Sequence, residues 1–193
     1  MVRPTPFMTF ARPILPAAIL LAALSAAAPA AAFELRSPDF TGNSPIPERN
    51  VFAGFGCSGG NRSPALSWTE PPAGTRSLAV TVYDPDAPTG SGWWHWVVFN
   101  LPADSRGLPA GAGDPAKPAL PAGAVQSRTD FGTLGYGGPC PPQGDEPHRY
   151  VVTVHALKVD SLPLPADASG AMVGFNLNAA SLAKATLTAR YGR

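Results

Sequence analysis

The chain has 193 residues, a formal net charge of +1 and only 14% charged residues. This balance provides no broad basic surface for nucleic acid or an anionic membrane, so any anion binding must come from a local site. The 24 prolines and 20 glycines interrupt long helical periods and favour short elements joined by turns.

The first 32 residues are typical of an export signal. Arg3 and Arg12 give the segment a positively charged front, and residues 14–28 form an apolar run rich in Ala and Leu. Residues 30–32 are three alanines, which are the small residues that a signal peptidase needs. We therefore predict that residues 1–32 direct export.

A retained membrane anchor is the alternative for this segment. The apolar run is short for a membrane-spanning helix and contains Pro16, which favours cleavage. Cleavage after Ala32 would leave 161 residues, 33–193, with a net charge of −1. That length fits one domain with an adequate core and without a stable membrane anchor.

The pattern along the chain predicts an all-β fold. Six short segments alternate in polarity or are rich in β-branched and aromatic residues, and we predict strands there: 33–36, 65–68, 78–83, 94–101, 125–129 and 150–157. Turn-forming residues separate these segments. The pattern favours two packed antiparallel sheets with Greek-key connections over an alternating β/α arrangement.

Two further segments are predicted from composition. Residues 103–123 are rich in Ala, Gly and Pro and predict a long surface loop. Residues 178–191 contain few breakers and predict a C-terminal helix that Asn178 or Ser181 could cap. Residues 168–173 predict a short helical turn before it.

The chain contains two cysteines, Cys57 and Cys140. An even pair in an exported protein favours a disulfide, and two separate buried thiols are the alternative. CxxC spacing is absent, and two cysteines alone make a poor metal site. We expect neither a metal nor a cofactor.

A polar and aromatic cluster, "YDPDAPTGSGWWHW", occupies residues 83–96. If strands 78–83 and 94–101 pair, their connection brings Asp84 and His95 to the same end of a sheet. A carboxylate near an imidazole favours the charged imidazole, which could hold an anion. The alternative is a tight turn whose aspartates bind backbone N–H groups, with His95 as a core residue.

A second cluster, "GYGGPCPPQGDEPHRY" at residues 135–150, ends in His148, Arg149 and Tyr150. Three of its glycines allow close backbone approach to a ligand: Gly137, Gly138 and Gly144. Two loops that each deliver a histidine beside prolines favour a binding pocket. His155 lies at an odd offset from His148, so in one strand it faces the opposite side and is expected to be a core or surface residue.

These segments, with "CSGGNRSPALSW" (57–68) and "SGAMVGFN" (169–176), resemble the phosphatidylethanolamine-binding protein family, also called Raf-kinase-inhibitor-like proteins. Within that family they resemble the bacterial YbhB/YbcL-type branch. The resemblance implies two antiparallel sheets, a C-terminal helix and a small anion pocket. Its implied ligand-binding residues are Asp84, His95, Pro141, Pro142, His148 and Tyr150.

The resemblance also implies structural roles near the pocket. Asp86 matches the second aspartate of the DPDAP motif and is expected to be structural. Cys140 stands where relatives often have a small residue, which implies a Cys57–Cys140 bridge at the pocket mouth. Alternation places Arg149 opposite Tyr150, so we expect it to stabilise a loop.

We consider three classes of function. The first is an exported, periplasmic binding protein for a phosphate- or carboxylate-bearing ligand, such as a phospholipid head group. The second is an inhibitor or regulator of a protein partner, such as a kinase or peptidase. The third is a hydrolase, since "GCSGG" (56–60) fits G-x-S-x-G; a proline and no helix signal follow it, so we expect no enzyme. For the oligomeric state, a monomer and a homodimer are both compatible with the sequence.

Overall fold

The computed structural model describes residues 1–2 and 32–193. Two units are distinguished, residues 1–30 and residues 31–193, and the second is the folded domain. Residues 3–31 of the predicted export signal lie outside the described residues. Among those described, no helix is long and apolar enough to cross a membrane.

Residues 32–193 form ten strands and one α-helix: β1 (Leu35–Arg36), β2 (Ala53–Gly54), β3 (Cys57–Ser58), β4 (Leu66–Trp68), β5 (Ser77–Asp84), β6 (Trp93–Pro102), β7 (Gly107–Leu108), β8 (Val125–Gln126), β9 (His148–Leu157), α1 (Gly170–Ala180) and β10 (Ser181–Tyr191). A short 3₁₀ helix covers Glu48–Asn50. The strands predicted from the sequence are present with slightly different ends.

The strands form two main antiparallel sheets. One has the order β1-β4-β7, the other has the order β10-β9-β5-β6-β8, and β2 and β3 form a separate hairpin. Within the large sheet the order β9-β5-β6-β8 follows the 4-1-2-3 arrangement of a Greek key. The predicted fold class is therefore confirmed.

The large sheet is buried on both faces. One face packs against the small sheet, where Val80 and Val98 of the large sheet join Leu66 and Trp68 of β4 in one core. The other face packs against α1 through residues such as Phe99 and Leu177. Because both faces are covered, β6 has an unbroken apolar middle rather than a clean alternation.

The predicted helix over residues 178–191 is wrong. The structure has a strand, β10, at Ser181–Tyr191, and it pairs with β9 along its length. Its core-facing residues alternate: Ala183, Ala185, Leu187, Ala189 and Tyr191. The helix propensity of alanine is outweighed because a strand places these residues on one face and completes the large sheet.

The helix α1 lies before β10 and begins within the segment predicted as a short helical turn. Ser169, rather than Asn178 or Ser181, caps it by accepting a hydrogen bond from the backbone N–H of Met172. Gly170 lies so close to Trp94 that an added Cβ would be 2.3 Å from the indole ring. The absence of a side chain at Gly170 therefore allows the start of α1 to pack closely against Trp94 of β6.

The predicted surface loop at residues 103–123 is only partly correct. It contains β7, which pairs with β4 and buries Leu108. Ala112 is also fully buried, and an added Cβ at Gly113 would be 2.6 Å from Tyr136. The Ala/Gly content therefore reflects tight packing against neighbouring segments as well as turns.

Candidate ligand-binding site

A cavity of about 220 Å³ opens at one end of the large sheet. β5 ends there at Asp84, while β6 and β9 begin there, because the three strands are antiparallel neighbours. All six residues that the sequence predicts for ligand binding line the cavity: Asp84, His95, Pro141, Pro142, His148 and Tyr150. The two sequence clusters therefore converge in space.

Asp84 is buried, and both of its carboxylate oxygens have protein partners. Oδ2 accepts a hydrogen bond from Nδ1 of His148 at 2.8 Å. Oδ1 accepts from the backbone N–H groups of Asp86 at 2.8 Å and Ala87 at 3.1 Å. Asp84 thus holds the following turn, as the turn interpretation predicts, and also orients a pocket histidine.

His148 is held between two carboxylates. Its Nδ1 donates to Asp84, so this nitrogen carries a proton. Its Nε2 lies 3.6 Å from Oδ2 of Asp145, which is beyond hydrogen-bond distance. The ring is buried and fixed in orientation at the start of β9.

His95 has a different partner. Its Nδ1 lies 2.7 Å from the carbonyl oxygen of Gly137. A carbonyl only accepts, so Nδ1 carries the proton. Burial lowers the pKa of His95 below its ordinary value of 6.5, although the Gly137 carbonyl and the Asp84 charge act in the opposite direction.

Asp84 favours the charged form of His95, as expected, but burial has the larger and opposite effect. The hydrogen-bond partner of Asp84 is His148, and desolvation outweighs the nearby negative charge at His95. Burial therefore favours the uncharged His95 ring, with its proton on Nδ1. The Gly138 backbone also acts on the His95 ring and, like the Gly137 carbonyl, raises its pKa.

Tyr150 lines the cavity beside His95. The two ring centroids are 5.1 Å apart and the ring planes are nearly perpendicular, at 80°. Burial, and next the negative charge of Asp84, raise the pKa of Tyr150 above its ordinary value. A side-chain hydrogen bond to Asp84 acts in the same direction, so the phenol stays protonated at physiological pH.

The walls of the cavity are aromatic. Phe131 packs edge-on against both Trp93 and His95, with centroid distances of 5.4 and 5.3 Å. Phe55 stacks on Phe131 at 5.8 Å and is 67% exposed at the rim. Among the described residues that line the cavity, none is Lys or Arg.

Two glycines hold the loop that carries Pro141 and Pro142 close to its neighbours. The N–H of Gly137 donates to the carbonyl of His95 at 2.9 Å, while its own carbonyl accepts from His95 Nδ1. An added Cβ at Gly137 would be 2.3 Å from the Phe131 ring. At Gly138 it would be 2.2 Å from the carbonyl oxygen of Asn50.

Asn61 is a positioning residue that sequence reasoning did not identify. Its side chain reaches the pocket loop. Oδ1 accepts from the N–H of Gly138 at 2.8 Å, and Nδ2 donates to the carbonyl of Tyr136 at 3.3 Å. No local sequence signal predicts a contact between residues 77 positions apart.

The predicted disulfide between Cys57 and Cys140 is present, and Cys140 lines the cavity. Arg193 provides a second link between the same two loops. Its guanidinium donates to the carbonyls of Phe55 at 3.2 Å and Gly56 at 3.2 Å, and its Nε donates to that of Pro141 at 2.7 Å. One side of the cavity mouth is therefore cross-linked twice.

Asp86 lies outside the cavity lining and forms a bidentate ion pair with Arg149. The Nη2–Oδ1 distance is 2.6 Å and the Nε–Oδ2 distance is 2.9 Å. The Arg149 side chain lowers the pKa of Asp86 to about 2. Arg149 is exposed while Tyr150 is buried, so the two side chains face opposite sides of β9.

The features that suggested other chemistry have structural environments of their own. Ser58 of the G-x-S-x-G match lies in a two-residue hairpin strand, and no helix follows it within residues 59–65. His155 lies on the α1 side of the sheet, with Nε2 3.4 Å from Oγ1 of Thr81. Within residues 1–2 and 32–193, no group of three or more acidic, His or Cys side chains could hold a metal.

Comparison with known proteins agrees with this architecture. The family model described as "Phosphatidylethanolamine-binding protein" matches residues 36–192. YbcL of Escherichia coli is 52% identical over 172 residues, covering 89% of this chain and 94% of YbcL. YbhB of the same organism is 55% identical over 158 residues, covering 82% of this chain and 99% of YbhB.

A more distant relative and a solved structure extend the comparison. LppC of Mycobacterium tuberculosis, named as a lipoprotein, is 35% identical over 179 residues, covering 93% of this chain and 82% of LppC. The crystal structure of E. coli YbcL matches with a TM-score of 0.83, covering 84% of this chain and 99% of that one. This chain therefore belongs to the phosphatidylethanolamine-binding protein family.

Proposed function

We propose that this protein is an exported binding protein whose cavity holds the oxyanion of a small phosphate- or carboxylate-bearing ligand. The observation that carries the proposal is that Tyr150, His95 and the Asp84-oriented His148 line one cavity. Tyr150 has a hydroxyl to donate to an oxyanion. The surrounding loops are cross-linked, so the polar groups are positioned before a ligand arrives.

The size of the cavity supports a small head group. Its volume of about 220 Å³ lies below the roughly 300–1,000 Å³ of sites for drug-sized ligands. The rest of a larger ligand would extend out of the cavity opening and contact the exposed Phe55 ring. The pocket therefore suits an amphipathic ligand with a small polar end, a class that includes phospholipid head groups.

The arrangement favours binding over catalysis. Both oxygens of Asp84 accept hydrogen bonds from the protein, and His148 Nδ1 is committed to Asp84. His95 is committed through Nδ1 to a backbone carbonyl. A Ser–His–Asp arrangement would need a serine oxygen beside a free imidazole nitrogen, and the cavity lining contains no serine among the described residues.

Export is part of the proposal. The named lipoprotein among the relatives, the Cys57–Cys140 disulfide and the sequence of residues 1–32 support it. We expect the mature protein to begin at Phe33 and to be recovered from the periplasm of its host. N-terminal sequencing of the fractionated protein tests this, and a chain that retains Arg3 and Arg12 in the cytosol would contradict it.

Thermal unfolding with phosphate, phosphoethanolamine and acetate tests the binding proposal. A ligand at about ten times its Kd stabilises the folded state by roughly 1.4 kcal/mol, which raises the Tm by about 3–6 °C for a domain of this size. We expect this shift with at least one of these ligands, and its loss in Tyr150→Phe. Tyr83→Phe is the matched control, because the Tyr83 hydroxyl bonds the carbonyl of Ser91 outside the cavity lining.

No shift of the unmodified protein with any of the three ligands would contradict the proposal. An equal Tm shift in Tyr150→Phe would show that the Tyr150 hydroxyl does not contribute to ligand binding. Because the Tyr150 ring is retained in the phenylalanine variant, the core contacts of the residue are preserved. The comparison therefore reports on the hydroxyl rather than on folding.

A further inference from the structure

We propose that a second cavity, between α1 and the large sheet, binds a small carboxylate that also carries hydroxyl groups. This helix-side cavity has a volume of about 200 Å³ and shares no lining residue with the cavity at the end of the large sheet. The inference therefore does not depend on the proposed oxyanion site. The polar residues that line the helix-side cavity include Thr81, Thr153, His155, Asn178, Lys184 and Thr186.

Three threonines form a row along the sheet side of this cavity. Thr81 of β5 pairs with Thr153 of β9, and Thr153 pairs with Thr186 of β10. Residues directly opposite each other on antiparallel strands point to the same face, so the three side chains lie side by side. Ala79 lies two residues before Thr81 and packs in the core beside α1, so this face is the one that α1 covers.

The threonine row is polar although the rest of this face is apolar. Elsewhere on the face, Val97, Phe99 and Leu157 lie in one apolar core with residues of α1. Thr81 and Thr153 are nevertheless only 4% and 8% exposed. Burying a hydroxyl costs free energy unless it finds a hydrogen-bond partner, so this recess suits a polar ligand.

His155 is neutral and is committed to protein groups. Burial, and next the positive charge of Lys184, lower the pKa of His155 to about 3. Ser181 Oγ donates to the Leu177 carbonyl at 2.7 Å, so at 3.3 Å it accepts from His155 Nδ1, which carries the ring proton. Nε2 is then the acceptor that faces Oγ1 of Thr81 at 3.4 Å.

The Thr153 hydroxyl is open to the cavity. It makes no hydrogen bond to another described residue, and it is not among the partnerless polar atoms closed off from solvent, which in this part of the chain are Asn50 Oδ1 and Ser127 Oγ. Thr153 lines the cavity. A threonine hydroxyl donates one hydrogen bond and accepts others, so it can pair with a ligand hydroxyl.

Lys184 gives the helix-side cavity a positive charge. Its ammonium donates to Oδ1 of Asn178 at 2.5 Å, which uses one of its three N–H groups. No Asp or Glu is among the described lining residues, so the charge is not neutralised within the cavity. A carboxylate matches this single charge, whereas a phosphomonoester dianion exceeds it.

The remaining lining limits the size of the ligand. Val151, Leu177 and Trp94 form apolar walls. Trp94 is held between Tyr83, with ring centroids 4.7 Å apart, and Gly174, where an added Cβ would be 3.0 Å from the indole. A cavity of about 200 Å³ is smaller than the sites of drug-sized ligands, so a hydroxycarboxylate of about three or four carbons suits it.

Isothermal titration with glycerate, propionate and glycerol tests the inference. Glycerate has both kinds of group, propionate lacks the hydroxyls, and glycerol lacks the carboxylate. We expect glycerate to bind at least about tenfold more tightly than either analogue. Its affinity should fall as the salt concentration rises from about 0.05 M to about 0.5 M, because salt screens a charge at the cavity rim. No binding of glycerate, or equal binding of glycerate and either analogue, would overturn the inference.

Two variants assign the binding to the helix-side cavity. Thr153→Val keeps the shape of the side chain, removes the hydroxyl and should weaken glycerate binding about tenfold. Lys184→Gln removes an exposed charge and should weaken binding by about three- to fivefold. Thr188→Val and Lys158→Gln are matched controls outside the lining and should bind glycerate as the parent protein does.

A third variant distinguishes the two cavities. Tyr150→Phe changes the cavity at the end of the large sheet and should keep the glycerate binding that Thr153→Val loses. Loss of binding in Tyr150→Phe but not in Thr153→Val would overturn the inference. If Thr153→Val does not fold, methyl NMR spectra of the parent protein decide: glycerate should shift the Thr153 and Thr186 signals, and shifts confined to other residues would overturn the inference.

Discussion

Removal of the Cys57–Cys140 bridge should strongly destabilise the protein. The two cysteines are 83 residues apart in sequence. In the chain-entropy account, cross-linking a loop of this length removes unfolded-state entropy equivalent to about 4–5 kcal/mol at 25 °C. For a domain of about 160 residues, a loss of that size lowers the Tm by roughly 10–15 °C.

Urea unfolding of the Cys57→Ser/Cys140→Ser variant, compared with the oxidised and the reduced parent protein, measures this contribution. The variant and the reduced parent should unfold at similar, lower urea concentrations. Arg193 still links the same two loops through the carbonyls of Phe55 and Pro141, so the folded structure should persist. A loss of stability below about 1 kcal/mol would refute the argument that the bridge restrains the unfolded chain.

Three further predictions concern packing and pH. Gly137→Ala should destabilise the protein by about 1–3 kcal/mol and weaken ligand binding, because its Cβ would be 2.3 Å from the Phe131 ring; calorimetry measures both effects, and an unchanged Tm would contradict them. Because Arg149 lowers the pKa of Asp86 to about 2 from 3.8, the ion pair stabilises the protein above pH 3.8 and this stabilisation is lost as the pH falls to about 2. Asp86→Asn should flatten that acid limb of a Tm–pH curve only slightly, since both side chains are partly exposed, and a steeper limb would contradict the assignment. Burial lowers the pKa of His155 to about 3 from 6.5, so its folded environment disfavours protonation and stability is lost as the pH falls from 6.5 towards 3; His155→Gln should reduce this loss, and an unchanged slope in the same Tm–pH series would argue against a buried neutral ring.

The strands could be predicted because their signals are local. Residues 78–83 and 150–157 carry β-branched and aromatic side chains between clear turn residues, and both are strands in the structure. The helix prediction over residues 178–191 is wrong because the alanine and leucine residues of this segment are compatible with either a helix or a strand. Its identity depends on pairing with β9, which is a long-range contact that composition does not contain.

The residues that line the cavity could be predicted from the sequence, but their hydrogen-bond partners could not. The side chains of the two motifs line one cavity, yet the motifs do not say that Asp84 bonds His148 while His95 bonds a backbone carbonyl. That choice depends on how β5, β6 and β9 align and on how closely the Gly137 loop approaches. Burial, which only the folded structure supplies, then favours the neutral form of His95.

A crystal structure grown with methyl phosphate tests most directly whether the cavity at the end of the large sheet binds an oxyanion. We expect one phosphate group in the cavity, within hydrogen-bond distance of the Tyr150 hydroxyl. Phosphate density confined to other surfaces, with the cavity holding only water at saturating methyl phosphate, would contradict it.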